Sequence, residues 1–171
     1  QFRWVPLWAI SATFRRPVVV AEDGNFYSHE GFDTAEMAKA IEAGYEKGEM
    51  PRGASTISQQ LAKNLYLSPS RNPIRKLREA LITWRLESNL TKNRILELYL
   101  NLIEWGEGIF GAEAAARYYF KKPASSLSAY ESAYLAAIIP SPRKVFNPRI
   151  HPQRVERRAQ LILRRMSRVN S

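Results

Sequence analysis

TKNRILELYLNLIEW, Thr91 to Trp105, carries apolar side chains at Ile95, Leu96, Leu98, Tyr99, Leu100, Leu102 and Ile103. At about 100° per residue these positions point in nearly every direction rather than along one stripe. A helix apolar all round is stable in water only when other elements surround it. Thr91 at its head is a good N-cap, so the segment predicts a central buried helix running through Trp105. The rest of the chain must supply the surround.

The neighbouring segments have that character. Asn72-Pro73 marks a helix start with proline at the first helical position, and the helix runs to about Asn89. Before it, Thr56 with Gln59 fits a capping box that opens a helix with Ile57, Leu61 and Leu65 on one face. Asp33 with Glu36 caps another, whose stripe of Met37, Ile41 and Tyr45 ends near Gly48. On the C-terminal side Ser128 and Glu131 cap AYESAYLAAII. The proline-rich PSPRKVFNPRIHP is a loop, and residues 152–169 form a basic amphipathic helix with Val155, Ala159, Ile162, Met166 and Val169 on one side and arginines on the other. No convincing period-2 strand and no repeat interrupts this pattern. The chain reads as one all-α domain over residues 1–171, with residues 1–20 as an aromatic and apolar lead-in.

Charge separates this chain from an ordinary helical domain. Its 171 residues carry a net charge of +10, and nine basic residues against one acidic lie between Arg143 and Arg168. Such a patch seeks a polyanion, either nucleic acid or an anionic membrane surface. The absence of cysteine excludes disulfides and thiolate metal sites. No apolar run reaches the ~18 residues needed to span a bilayer. The chain opens on Gln1 rather than Met, which is read as loss of an N-terminal anchor.

Two constellations point to chemistry. On the helix opening near Thr56, the side chains of Thr56, Gln59, Gln60 and Lys63 share a sector about 100° wide, with Asn64 at its border. Short neutral groups of this kind suit hydrogen bonds to sugar hydroxyls or phosphate oxygens better than a solvated face does. On the next helix, Arg75 and Glu79 lie four apart and share a face with Ile82 and Leu86, while Leu77, Leu81 and Trp84 cover the opposite side. Apolar flanks on both sides direct the Arg75/Arg78/Glu79 group into protein or a cleft, as an ion pair or as a site. A third stretch, VVVAEDGNFYSHEGFD from Val18 to Asp33, ends an apolar run in Glu22 and Asp23 with His29 close behind. Its spacing fits neither a zinc helix motif nor a calcium loop, so no metal site is assigned. Gly106 to Gly111, GEGIFG, matches a dinucleotide fingerprint only in letters, because a helix rather than a strand precedes it. Ser141 to Lys144, SPRK, matches a serine-transferase pattern by chance, since no K-T-G follows.

EDGNFYSHEGFD, GASTISQQLAKN, RKLRE and KNRILELYLN, in this order and spacing, resemble the peptidoglycan glycosyltransferases. GIFGAEAAARYYFKK and SPRKVFNP resemble later blocks of the same family, so the likeness extends from about Val5 to Pro148. The departures are Ala54, where a second glycine is common, and Phe146, where tyrosine is common. The resemblance implies a lysozyme-like helical fold in two lobes, a cleft between them, and a smaller lobe dipping into a membrane. It implies polymerisation of lipid II by inverting β-1,4 transfer, with undecaprenyl pyrophosphate leaving. By motif, Glu22 is the general base and Glu79 the second cleft carboxylate. Lys63, Arg71, Arg75 and Arg78 line the pyrophosphate site; Ser55, Thr56, Gln59 and Gln60 hold sugars or phosphate oxygens; Phe26, Asn64 and Asn101 stand on the substrate side. Asp23 and His29 also belong to the substrate site, chiefly by bracing the Glu22 loop.

Elementary chemistry agrees with this division. A glycosidase needs an acid for its alkoxide leaving group, whereas a departing pyrophosphate needs cations for the charge it develops. One carboxylate then suffices for proton removal. The protein itself supplies no cofactor in this reading; a divalent cation, Mg2+ or Mn2+, would bridge the substrate pyrophosphate and be held mainly by it. The implied partners are lipid II, the growing glycan strand, the membrane surface and proteins of cell-wall synthesis or division, with no nucleic acid. The implied location is the extracytoplasmic side of the bacterial inner membrane. Since no transpeptidase sequence follows Ser171, a monofunctional enzyme is expected. A lysozyme-like glycan hydrolase and a basic nucleic-acid-binding module are the alternatives.

Overall fold

Helix formation follows the caps. In the computed structural model, which describes residues 3–47, 55–66 and 73–168, the elements in order are α1 (Ala12–Glu22), α2 (Thr34–Lys47), α3 (Ile57–Tyr66), α4 (Pro73–Asn89), α5 (Lys92–Leu102), β1 (Glu104–Gly106), β2 (Ile109–Phe110), α6 (Ala112–Phe120), α7 (Ala129–Ile138) and α8 (Pro152–Arg168). Thr56 and Gln59 form a reciprocal capping box at the head of α3, with bonds of 3.0 and 3.2 Å. Ser128 and Glu131 form another at α7. Thr91 accepts from the Arg94 N–H, and Asp33 accepts from the Glu36 N–H at 2.9 Å. Each cap satisfies amides that a helix start leaves without partners. Tyr45 and Val169, read above as stripe residues, have side chains outside those described.

α5 is the buried axis, with Ile95, Leu96, Tyr99 and Leu100 fully enclosed. One set of helices, α1, α7 and α8, packs together; α3 packs on α4 and α5. Trp105 joins core elements from several directions: its ring lies 6.1 Å from that of Phe14, its Nε1–H donates to the Leu135 carbonyl, and its own carbonyl accepts from Tyr119.

The mainly α expectation stands, with local corrections. The buried helix stops at Leu102, and Glu104–Gly106 pairs antiparallel with Ile109–Phe110 in a small hairpin. The glycine-rich GEGIFG therefore makes a hairpin and a helix start. Gly111 has φ +88°, and a Cβ there would lie 2.8 Å from the Asn101 carbonyl oxygen. Gly111→Ala combines left-handed strain with a backbone clash and is expected to cost about 2 kcal/mol or more. Thermal denaturation should show a Tm lower by roughly 4–8 °C for a chain of this size.

The lead-in is only partly peripheral. Ala12–Glu22 is a helix capped by Ser11, and Phe14, Pro17 and Val18 are buried in it. Asn101 clamps the preceding strand-like segment by accepting from the Val5 N–H and donating to the Val5 carbonyl, both at 2.8 Å. Trp8, by contrast, is 84% exposed. The outer stripes also differ from expectation: Met37 and Ile41 on α2 and Leu77, Leu81 and Trp84 on α4 are exposed, Leu77 by 72%. They cover no part of the core. None of the described helices is long and apolar enough to cross a membrane.

Candidate active site

Glu22 closes the last turn of α1, directly after the apolar VVVA, and this places its carboxylate against protein rather than water. Its side chain is 6% exposed. Oε2 accepts from Gln60 Nε2 at 3.1 Å, and Oε1 accepts from Arg158 Nη2 at 3.0 Å. Gln60 cannot flip freely, because its Oε1 accepts from the Tyr99 hydroxyl at 2.8 Å. Burial pushes the Glu22 carboxyl above its ordinary range; Arg158 and the Gln60 bond pull it back, and the neighbouring Asp23 charge raises it. Burial, with the charges of Glu22 and Asp23, lifts the Tyr99 hydroxyl well above its ordinary value, so it remains a donor.

The turn after Glu22 is fixed by Asp23 and His29. His29 Nδ1 accepts from the Gly31 N–H at 3.0 Å, which places the ring proton on Nε2, donated to Asp23 at 2.9 Å. Asp23 also accepts from the Ile57 N–H at 3.0 Å, tying the turn to the start of α3. Thr56 donates to the Gly31 carbonyl at 2.7 Å. One ligand atom each from Asp23, His29 and Asp33 lies within 4.8 Å of the others. Those atoms already serve the bonds just described, and Asp33 serves the α2 cap and Asn25. These bonds tie the Glu22 turn to the starts of α2 and α3.

Glu22 borders two hollows. The larger, of about 690 Å³, runs from Glu22 past Ser55, Gln60, Lys63 and Asn64 to Arg75, Lys76 and Glu79. Its other side is formed by Glu104, Pro140, Arg158 and Arg165. The smaller, of about 300 Å³, is lined by Glu22, Asp23, Asn25, Asp33 and Glu36, with Arg165 shared between the two. One wall of the large cleft is thus cationic and the small hollow acidic. Glu79, 3% exposed, accepts from Arg75 at 3.1 Å and from Lys76. Both its oxygens meet cationic donors.

Most of the expected site residues come together here, and some do not. Gln59 touches the cleft while its Oε1 accepts from the Thr56 N–H, and Thr56 faces the smaller hollow. Phe26 is fully buried in the core beneath Lys92. Asn101 is occupied by the Val5 clamp and does not line either hollow. Arg78, one position before Glu79, is turned about 100° away and is exposed off the cleft. Arg71 lies outside the described residues. Lys76, Glu104, Arg158 and Arg165 are additions. Lys76 sits three before Glu79 and so on its face. Arg158 lies three after Val155 and four before Ile162, both buried, which puts it on the edge of the apolar stripe rather than opposite it; Arg165 repeats that edge after seven residues.

A family model described as Transglycosylase matches residues 1–167. The chain belongs to the transglycosylase family. The chain is also 51% identical over 166 residues to the biosynthetic peptidoglycan transglycosylase of Methylobacillus flagellatus, covering 97% of this chain and 72% of that protein. Proteins of the same name from Chromobacterium violaceum and an Azoarcus species are 51% and 53% identical, over 99% and 91% of this chain and 74% and 69% of theirs. The chain is accordingly an enzyme of glycosyl transfer, and its described fold is mainly α as the resemblance requires.

Proposed function

We propose that this enzyme polymerises lipid II into the glycan strands of peptidoglycan, with Glu22 as general base. The observation that carries the reading is a buried carboxylate, raised above its ordinary range, on the border of a cleft with a cationic wall. Glu22 takes the proton of the acceptor 4-hydroxyl as that oxygen forms its bond to the anomeric carbon of the donor. The bond from that carbon to the pyrophosphate breaks on the opposite face, so the configuration inverts. Undecaprenyl pyrophosphate carries away the bonding electron pair. Lys63, Arg75 and Lys76 meet its developing charge, and preorganised cations do so without reorganising at the moment of reaction.

The cleft offers ammonium and guanidinium groups where a protein-bound metal would need free carboxylates. Glu79 is held by Arg75 and Lys76, and Glu104 by Arg143. A divalent cation bridging the pyrophosphate would therefore be held by the substrate. The exposed Leu77, Leu81 and Trp84 on α4, with Met37 and Ile41 on α2, suit contact with the lipid carrier and its membrane on the extracytoplasmic side. Incubation with labelled lipid II should give long glycan strands and free undecaprenyl pyrophosphate. Absence of strands, or release of reducing ends from finished peptidoglycan instead, would overturn the reading.

A further inference from the structure

Arg158 comes from the far end of the chain, on α8, and reaches Glu22 across 136 positions. Helix α8 packs against both α1 and α7, so the guanidinium arrives on a fixed frame. Its guanidinium carbon lies over the Phe146 ring, 5.3 Å from the centroid. Its Nε is buried and has no hydrogen-bond partner. Buried ion pairs are in any case weak stabilisers. The orientation is instead spent on one carboxylate oxygen.

The other oxygen is held by Gln60, itself directed by Tyr99. The carboxylate is therefore gripped from two helices and cannot rotate to suit a passing solvent molecule. The charged and titratable groups around it are Asp23 on its own turn, Lys63 from α3, Tyr99 from α5, Arg158 and Arg165 from α8, and Arg75, Lys76, Glu79 and Glu104 further along the cleft. Of these, Arg158 is the cation that makes a direct bond to Glu22. A carboxyl group this buried, with no such cation, would tend to keep its proton and have nothing with which to accept another.

We propose that Arg158 is a positioning residue of glycosyl transfer: its guanidinium fixes one oxygen of Glu22 and holds the group in its anionic, proton-accepting form, so that the terminal helix completes the base. This rests on the reading of Glu22 as the base. Arginine suits this role where lysine would serve less well, because a rigid planar fork carried over an aromatic ring is more restricted in its direction of approach than an ammonium.

The test uses the full chain with Arg158→Gln and Arg158→Lys, following lipid II polymerisation across pH, thermal melting, and the carboxyl-carbon resonance of Glu22. Arg158→Gln should lower kcat roughly tenfold or more near neutral pH while KM changes by less than about threefold, with the loss shrinking as pH rises. Arg158→Lys, which keeps the charge, should recover part of the loss and keep the fold should the glutamine variant lose it. In Arg158→Gln the Glu22 resonance should titrate at higher pH than in the wild type. An increase in KM with an unmoved pH profile would make Arg158 a substrate ligand and overturn the proposal. So would an equal loss at every pH that tracks melting, or a Glu22 resonance that does not move. If Glu22 is not the base, Glu22→Gln keeps its activity while the resonance still moves, which separates the two failures.

Discussion

Glu22→Gln is expected to lower glycan polymerisation by roughly 10² to 10⁴-fold, the range a positioned general base contributes. Gln keeps the shape and the contacts with Gln60 and Arg158 as far as an amide allows, yet it cannot accept the proton of an attacking hydroxyl. The pH dependence follows from the direction of the Glu22 shift. A base must be ionised, and burial sets this carboxyl above the ordinary range, so activity should begin to fall with acid at a higher pH than an exposed glutamate would give. Stability moves the other way. A carboxyl raised in the folded state contributes stability below its unfolded value and loses it as pH rises through the folded value. At neutral pH ionised Glu22 is therefore a cost to the fold, one of the penalties active sites commonly carry. The amide resembles the protonated acid but keeps only one accepting oxygen for Gln60 and Arg158; relief of the buried charge and loss of that acceptor oppose each other, so Glu22→Gln should melt close to the wild type at neutral pH. Strand formation at near wild-type rate would remove Glu22 from the chemistry; a fall in activity accompanied by a fall in Tm would make its role structural.

How much of this was legible in the sequence depends on whether local pattern or tertiary packing governs each residue. Caps are local, which is why Thr56 with Gln59 and Ser128 with Glu131 read correctly as capping boxes. The same success hid a cost: the Oε1 that closes a helix start is no longer free for sugar, so Gln59 belongs to the fold as much as to the cleft. Helix α1 begins inside the stretch read as an aromatic and apolar lead-in, and it contains Pro17, which removes an internal hydrogen bond. Burial of Phe14, Pro17 and Val18 against neighbouring helices outweighs it. The α4 stripe failed for the opposite reason. Leu77, Leu81 and Trp84 have the spacing of a core face, and periodicity states that a face is apolar without stating what covers it. Asn101 in KNRILELYLN carries a motif position, yet its amide matches a backbone donor and acceptor on Val5 that only the fold brings near. Arg158 and Arg165 were visible in principle as cations bordering a buried stripe. What no local pattern contains is the distance from the end of the chain to Glu22.

Lys63→Ala is expected to lower kcat by roughly 10² to 10³-fold, comparable to removing one preorganised charge stabiliser from a transition state. The cations of the cleft are not equivalent. Arg75 and Lys76 share Glu79, a carboxylate that holds them in place and offsets part of their charge. Lys63 projects from α3 into the same cleft, exposed, one turn beyond the Gln60 that touches Glu22. An exposed lysine contributes little to packing, so the variant should melt within about 0.5 kcal/mol of the wild type. The kinetic pattern identifies what the charge does. If Lys63 meets charge that grows as the pyrophosphate departs, kcat falls more than KM rises. Inorganic pyrophosphate should inhibit the wild type and inhibit Lys63→Ala more weakly, whereas Glu22→Gln should retain the wild-type sensitivity. Equal inhibition of all three proteins would place the leaving group elsewhere, and a loss of melting temperature with unchanged inhibition would make Lys63 a structural residue. The two variants together divide the cleft by chemical role. A base that must be anionic is set on α1, and the cation for the leaving group on α3. Glu22 already meets its own cation in Arg158, and Lys63 in direct contact would draw on the same carboxylate. Gln60, polar but uncharged, occupies the position on α3 that touches Glu22, and this keeps both groups available to the substrate.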